Sequence, residues 1–102
     1  MKKVILLTVS ALFCEAVAAQ SVSHAICQSY AGIMESTIVP WRQSGQVPIG
    51  AAEDVWNSES DARTRVFLKR VTREIYKNPR SGSRYLQSGG FLTDCVKTHR
   101  GF

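Results

Sequence analysis

Apolar side chains recur along this chain at steps of three and four residues, the spacing that places them on one face of an α-helix. The first series runs to Pro40, which we expect to end its helix. After a turn at Gln43–Val47, a second and shorter helix is predicted from Ile49 to Asn57, with Pro48 at its start. The apolar positions of the first series are Ile26, Cys27, Tyr30, Ala31, Met34 and Ile38.

The clearest helical pattern covers Asp61 to Lys77. Ser58 and Ser60 are candidate N-caps for this third helix, and the Asn78-Pro79 pair is expected to end it. The polar stretch Arg80–Arg84 then leads to a fourth helix, which carries Phe91, Leu92, Cys95 and Val96. Because the chain has no run of strand-like alternation, the pattern predicts an all-α fold, a small helical bundle of three to four helices.

The N-terminal segment has the three parts of a secretory signal in order. Lys2 and Lys3 come first, Val4–Phe13 is continuously apolar, and Ala16–Ala19 offers small residues for cleavage. An apolar run of this length is too short to cross a bilayer, which takes about 20 residues. We therefore expect residues 1–19 to be a cleaved signal peptide, residues 20–102 to form one helical domain in the periplasm, and no membrane span to remain after cleavage.

Export leaves two cysteines, one near each end of the mature chain. Cys14 lies inside the predicted signal, so Cys27 and Cys95 are the only partners for an intramolecular bond. A domain of this size gains little stability from its core alone, and the periplasm is oxidising. We predict a Cys27–Cys95 disulfide that closes the bundle and adds about 4 kcal/mol.

The chain is basic, with 13 Lys and Arg against 8 Asp and Glu and a formal net charge of +5. On the third helix the basic residues share one arc, opposite the apolar side chains. This arc is a candidate site for a protein partner in the cell envelope or for another anionic surface, although an ordinary solvated helix face has the same pattern. Nucleic acid is disfavoured, because no aromatic residues interleave with the charges. The basic residues are Arg63, Arg65, Lys69, Arg70, Arg73 and Lys77.

Trp41 and Arg42 follow Pro40 and form a second candidate contact. An exposed Trp beside an Arg is typical of the few residues that dominate the energy of an interface. A Trp that closes one end of the core is the alternative.

The histidines flank the two cysteines of the mature chain. His24 lies three residues before Cys27, and His99 lies four residues after Cys95, so each pair shares a helix face. With reduced cysteines these four residues are a candidate Cys2His2 metal site. The preferred interpretation is a disulfide with two surface histidines and no cofactor.

Catalytic signatures are absent from the sequence. It contains no HExxH, GxSxG or CxxC motif and no glycine-rich phosphate loop. Four acidic residues, Glu53, Asp54, Glu59 and Asp61, cluster around the start of the third helix, where capping and the helix dipole account for them. We therefore expect a protein that is not an enzyme.

The chain resembles a set of short, exported, two-cysteine helical proteins of proteobacteria in the spacing of about a dozen residues. The shared pattern is a cysteine helix, an Arg-Gln-x-Gly turn, a Tyr-x-x-Pro helix end and a Phe-x-x-x-Cys finish. In size, export signal and helical content the chain is also similar to KikA-like periplasmic proteins, which are encoded beside plasmid transfer genes and are linked to killing of some recipient hosts. The matching residues are Cys27, Ala31, Ile33-Met34, Arg42-Gln43-Ser44-Gly45, Pro48, Tyr76-Lys77-Asn78-Pro79, Phe91 and Cys95.

Three hypotheses of function follow. The first is a non-enzymatic periplasmic interaction or accessory protein, tied to conjugative plasmid or other mobile-element functions of the envelope, including host killing. The second is an inhibitor or immunity protein against a cell-wall hydrolase. The third is a periplasmic metal-handling protein that uses the histidines and cysteines.

Overall fold

Five helices account for nearly all of residues 22–99, the part of the chain that the computed structural model describes. The all-α prediction is confirmed for this range, and the predicted signal peptide at residues 1–19 lies outside it. The helices are α1 (residues 22–44, with a π-helical turn at Met34–Ile38), α2 (Ile49–Asp54, continued by a 3-10 turn at Val55–Ser58), α3 (Ala62–Lys77), α4 (Pro79–Gln87) and α5 (Gly90–His99).

α1 continues past the proline that was expected to end it. The backbone N–H of Val39 bonds to the carbonyl of Met34, five residues back, so the helix is widened by a π turn just before Pro40. Pro40 then occupies the first turn of the resumed α-helix, where a missing N–H costs little. The prediction of an end at Pro40 was therefore wrong. α1 continues to Ser44, and its C-cap is Gly45, whose φ of 70° is readily adopted by glycine.

The Asn78-Pro79 pair ends one helix and begins the next. The Asn78 side chain accepts a hydrogen bond of 3.2 Å from the backbone N–H of Ser81, and Pro79 takes the first position of α4. The stretch Arg80–Arg84, predicted to be a polar connection, is therefore helical, and this adds one helix to the predicted number.

α3 is the central helix and packs against the other four. Its N-cap is Asp61, which accepts a hydrogen bond from the backbone N–H of Thr64, and neither Ser58 nor Ser60 has this role. Its apolar side chains, predicted to lie opposite the basic arc, are buried in the core with side chains of the other helices. The buried apolar residues are Cys27, Met34, Ile38, Ala52, Trp56, Phe67, Leu68, Val71, Ile75, Leu86, Phe91 and Cys95.

The Cys27–Cys95 disulfide is present and joins α1 to α5. The two Cα atoms are 5.8 Å apart, and both side chains are fully buried. The predicted covalent closure of the bundle is confirmed.

A buried polar cluster lies where α1 and α2 meet α3. The indole N–H of Trp56 donates to the hydroxyl of Thr72 at 2.8 Å, and that hydroxyl donates to the carbonyl of Leu68 at 2.9 Å. The Tyr30 ring meets the Trp56 ring edge to face, with centroids 5.4 Å apart. Because the buried indole has a partner, Trp56 fixes the position of α2 against α3 without an unsatisfied polar group.

Candidate functional site

The outward side of α3 carries a basic face, defined here as Arg63, Lys69, Arg70, Arg73 and Lys77. Arg63, Arg70, Arg73 and Lys77 are exposed and Lys69 is half-buried. Val66 lies among them with 59% of its surface exposed. The face therefore combines positive charge with an exposed apolar side chain at its centre.

Some of these cations also serve the fold. Arg73 forms an ion pair of 3.0 Å with Glu53 of α2, and Lys77 lies 3.9 Å from Glu74 one turn earlier. Arg65, on the same arc, donates to the carbonyl of Glu59 at 2.6 Å and holds the segment before α3. These contacts leave Lys69 and Arg70 as members of the face without an ion pair to another residue of the described range.

Arg70 lies over an aromatic ring. Its guanidinium carbon is 5.7 Å from the centroid of the Phe67 ring, a cation–π arrangement. This contact favours one position of the guanidinium before any ligand binds, and its N–H groups are well suited to a carboxylate. Arg70 is thus the best-prepared anion contact on the basic face.

A groove runs beside Arg70, between α3 and the pair α4 and α5. Its larger cavity has a volume of about 540 Å³, and a second cavity of about 400 Å³ continues it toward the start of α3. Phe67, Arg70 and Thr98 line both cavities, so the two form one surface, here called the α3–α5 groove. Its other lining residues are Ala62, Arg63, Val66, Val71, Glu74, Ile75, Asn78, Ser81, Gly82, Tyr85, Asp94 and Lys97.

The shape of the groove depends on how closely α4 approaches α3. A Cβ atom on Gly82 would lie 2.7 Å from Cγ1 and 2.9 Å from Cα of Ile75, so only glycine fits at this crossing. The close approach places the α4 side of the groove directly against α3. Gly82 therefore sets the width of the groove without contributing a side chain to it.

One rim of the groove carries a tyrosine–carboxylate pair. The hydroxyl of Tyr85 donates to the Asp94 carboxylate at 2.5 Å. Burial, together with this hydrogen bond to a negative group, raises the pKa of Tyr85 well above its usual range. Asp94 is therefore engaged by a neutral hydroxyl, whereas Lys97 on the same helix has no ion pair within the described range.

Trp41 and Arg42, the second predicted contact, are directed largely toward the fold. Trp41 is half-buried and packs against the core. Nε of Arg42 donates to the carbonyl of Tyr76 at 2.7 Å, which satisfies a free carbonyl at the end of α3. The same Tyr76 donates its hydroxyl to the carbonyl of Val47 at 2.8 Å, so the segment after α1 is fastened to α3.

The four residues of the candidate metal site do not form a ligand group in the structure. Cys27 and Cys95 are joined to each other, and Nδ1 of His99 lies 3.1 Å from the Ser23 hydroxyl. His24 is exposed on α1. A Cys2His2 site requires both thiolates, which the disulfide removes, and residues 22–99 contain no group of three potential metal ligands.

Asp61 links the start of α3 to the charges around it. The Thr64 hydroxyl donates to its carboxylate, and this bond lowers the pKa of Asp61, with smaller contributions in the same direction from the Thr64 N–H, His99 and Arg63. Asp61 thus caps α3, and the Glu59 carboxylate accepts from the Asp61 N–H at 3.1 Å, whereas Glu53 instead forms the ion pair with Arg73.

Sequence reasoning identified one bank of the groove and missed the other. The cations of α3 share an arc that is visible from the helical period alone. Tyr85 lies on α4, which was not predicted to be a helix. Asp94, Lys97 and Thr98 lie on α5, which was predicted, but the packing of α5 beside α3 is not visible in the sequence pattern. The signal that was available is the Asn78-Pro79 pair, which has the sequence of a helix start as well as a helix end.

Comparison with known protein families, with curated proteins and with solved structures finds no match to this chain. None of the helices in the described range is long and apolar enough to cross a membrane.

Proposed function

We propose that this chain is a non-enzymatic periplasmic interaction protein that binds an acidic surface of a protein partner in the cell envelope. The basic face of α3 is the contact surface. The observation that carries the proposal is the combination of Arg70, which lies over the Phe67 ring without an ion pair, with the exposed Val66 beside it.

Helix stability alone does not account for this distribution of charge. Asp61 caps α3, but the first turn itself contains no acidic residue and includes Arg63, although the helix dipole disfavours cations there. α3 carries six cations and a single Glu in its 16 residues. Such an excess attracts an acidic partner over distances of about one Debye length and raises the rate of encounter.

The resemblance to exported proteins of plasmid transfer regions supports a more specific setting. Within the proposal, the protein is an accessory of conjugative or other mobile-element functions at the envelope, including host killing. The partner is then an envelope protein that presents a cluster of Asp and Glu residues.

The test is partner capture by crosslinking in cells that export the protein. The Lys69→Glu/Arg70→Glu variant reverses two cations of the basic face that have no ion pair. The Arg80→Glu/Arg84→Glu variant makes the same change of charge at two exposed positions of α4 outside the groove. We expect the first variant to lose about tenfold in captured partner and the second to match the native protein.

Equal loss in both variants would mean that only overall charge matters, and unchanged capture in the first would remove the basic face from the function. Thermal melting of both variants in parallel establishes that each is folded.

A further inference from the structure

We infer that the α3–α5 groove receives a segment of the partner protein in which a carboxylate, bound by Arg70 and Lys97, stands next to an apolar side chain packed on Phe67 and Val71. This inference rests on the proposed function, because it names the part of the partner that the basic surface recognises.

The size of the groove fits a chain segment. The larger cavity, about 540 Å³, lies in the range of ordinary ligand sites, which is roughly 300–1,000 Å³. The two cavities together extend from Ala62 to Asn78, the whole length of α3, or about 24 Å at 1.5 Å per helical residue. A surface of that length is matched by a stretch of polypeptide with more than one anchoring side chain.

The charges indicate an acidic occupant. Arg70 on one bank and Lys97 on the other line the larger cavity, and neither has an ion pair within the described range. The carboxylates of the cavity are already engaged, Asp94 by the Tyr85 hydroxyl at 2.5 Å and Glu74 by Lys77 at 3.9 Å. A carboxylate placed between the two banks would therefore meet two available cations.

The floor of the groove supplies an apolar contact beside these cations. Phe67 and Val71 are 4% and 6% exposed, so they are rigidly packed and present only their outer edges. An apolar side chain placed on them would also cover the Phe67 ring that supports Arg70. Exclusion of water by that side chain strengthens the contact between Arg70 and a carboxylate.

The same carboxylates argue against a lipid surface or a nucleic acid as the occupant. A phosphate-rich surface lying across the groove would approach Glu74 and Asp94 as well as the cations, and like charges repel. A peptide can place one carboxylate at Arg70 and leave neutral side chains near Asp94. Protein is therefore the chemistry that the groove favours.

The experiment is peptide selection on the full, disulfide-bonded protein with a random dodecapeptide library displayed on phage. Selected peptides are then synthesised and their affinity is measured for the native protein and three variants. Arg70→Gln removes the central cation, and Ser81→Trp fills the groove from α4. Arg84→Gln is the control, because it makes the same charge change on α4 outside the groove.

We expect the selected peptides to share an Asp or Glu within four residues of a large apolar side chain. Affinity should fall about tenfold in Arg70→Gln and by at least as much in Ser81→Trp, and should stay within twofold in Arg84→Gln. A selection that yields no binders, peptides without a common acid, or equal binding to Arg70→Gln and Arg84→Gln would overturn the inference.

Failure of this inference is separable from failure of the proposed function. If Lys69→Glu/Arg70→Glu abolishes partner capture in cells but Ser81→Trp leaves it intact, the basic face is the contact and the groove is not. If the charge reversal leaves capture unchanged, the proposed function itself fails.

Discussion

The two long sides of α3 meet the rest of the protein in different ways. On the side facing α1 and α2, Thr72 bridges the Trp56 indole and the Leu68 carbonyl in a fully buried cluster. On the side facing the groove, Phe67 is nearly buried but its neighbour Arg70 is exposed and has no ion pair. On the first side, here called the closed side, the polar groups are buried and hydrogen-bonded. On the second side only the apolar floor of the groove is buried.

The difference indicates how a small domain can keep binding groups exposed. Every buried side-chain nitrogen and oxygen atom of the described range has a hydrogen-bond partner. The exposed cations of α3 therefore contribute little to the core and can be changed at low cost to stability. The groove side has the freedom to bind because the closed side and the disulfide hold α3 in place.

The largest effect is expected where α4 closes on α3 beneath the groove. Gly82→Ala should destabilise the protein by about 2 kcal/mol, since the new methyl group would overlap the Ile75 backbone. The matched control is Gly32→Ala, an exposed position of α1 with no atom within 4 Å of the new Cβ, where stability should rise by up to about 1 kcal/mol. Urea denaturation measures both, and equal effects would show that the α3–α4 crossing is not tight.

A somewhat smaller effect is expected on the closed side. Thr72→Val leaves the buried indole N–H of Trp56 without an acceptor, which should cost about 1.5 kcal/mol. Thr93→Val, at an exposed position of α5, should stay within about 0.5 kcal/mol of the native protein. The double variant Trp56→Phe/Thr72→Val tests the bond itself. If its loss of stability equals the sum of the losses in the two single variants, the hydrogen bond does not couple the two residues.

The smallest effect is expected at the rim of the groove and depends on pH. The pKa of Tyr85 is raised in the folded protein above its unfolded value of about 10, so the stability that its neutral form contributes is present below pH 10 and is lost as pH rises further. Tyr85→Phe should cost under about 1 kcal/mol at pH 7 and should move alkaline unfolding to higher pH. Asp94→Asn should shift the pH of alkaline unfolding in the same direction by a smaller amount. An unchanged midpoint of alkaline unfolding in both variants would contradict the hydrogen bond between Tyr85 and Asp94.

The sequence was sufficient for those elements whose signals are local. α3 was placed within a residue of its observed start and at its observed end, because its apolar period and the following proline agree. Its N-cap was predicted wrongly, since Asp61 and not Ser58 or Ser60 has this role. The Cys27–Cys95 bond followed from the small number of cysteines once export was assumed.

The errors arose where tertiary packing decided the outcome. Pro40 is accommodated by a π turn, which residue preferences do not predict. Arg80–Arg84 is helical because Gly82 allows α4 to pack against Ile75. For the same reason only the α3 bank of the groove was predictable. The other bank combines α4, whose composition, rich in Gly and Ser, is typical of a loop, with α5, which was predicted as a helix but not at this position against α3.

The Cys27–Cys95 bond has a further consequence for the response of the protein to proteolysis. It spans 68 positions of the chain and encloses nearly all of α1–α5 in one covalent ring. A protease that cuts once at an exposed connection, such as Gly45–Val47, would therefore open the ring without releasing a fragment. The two pieces would remain joined by the disulfide and could still form their shared core, so the protein can stay folded after a single cleavage.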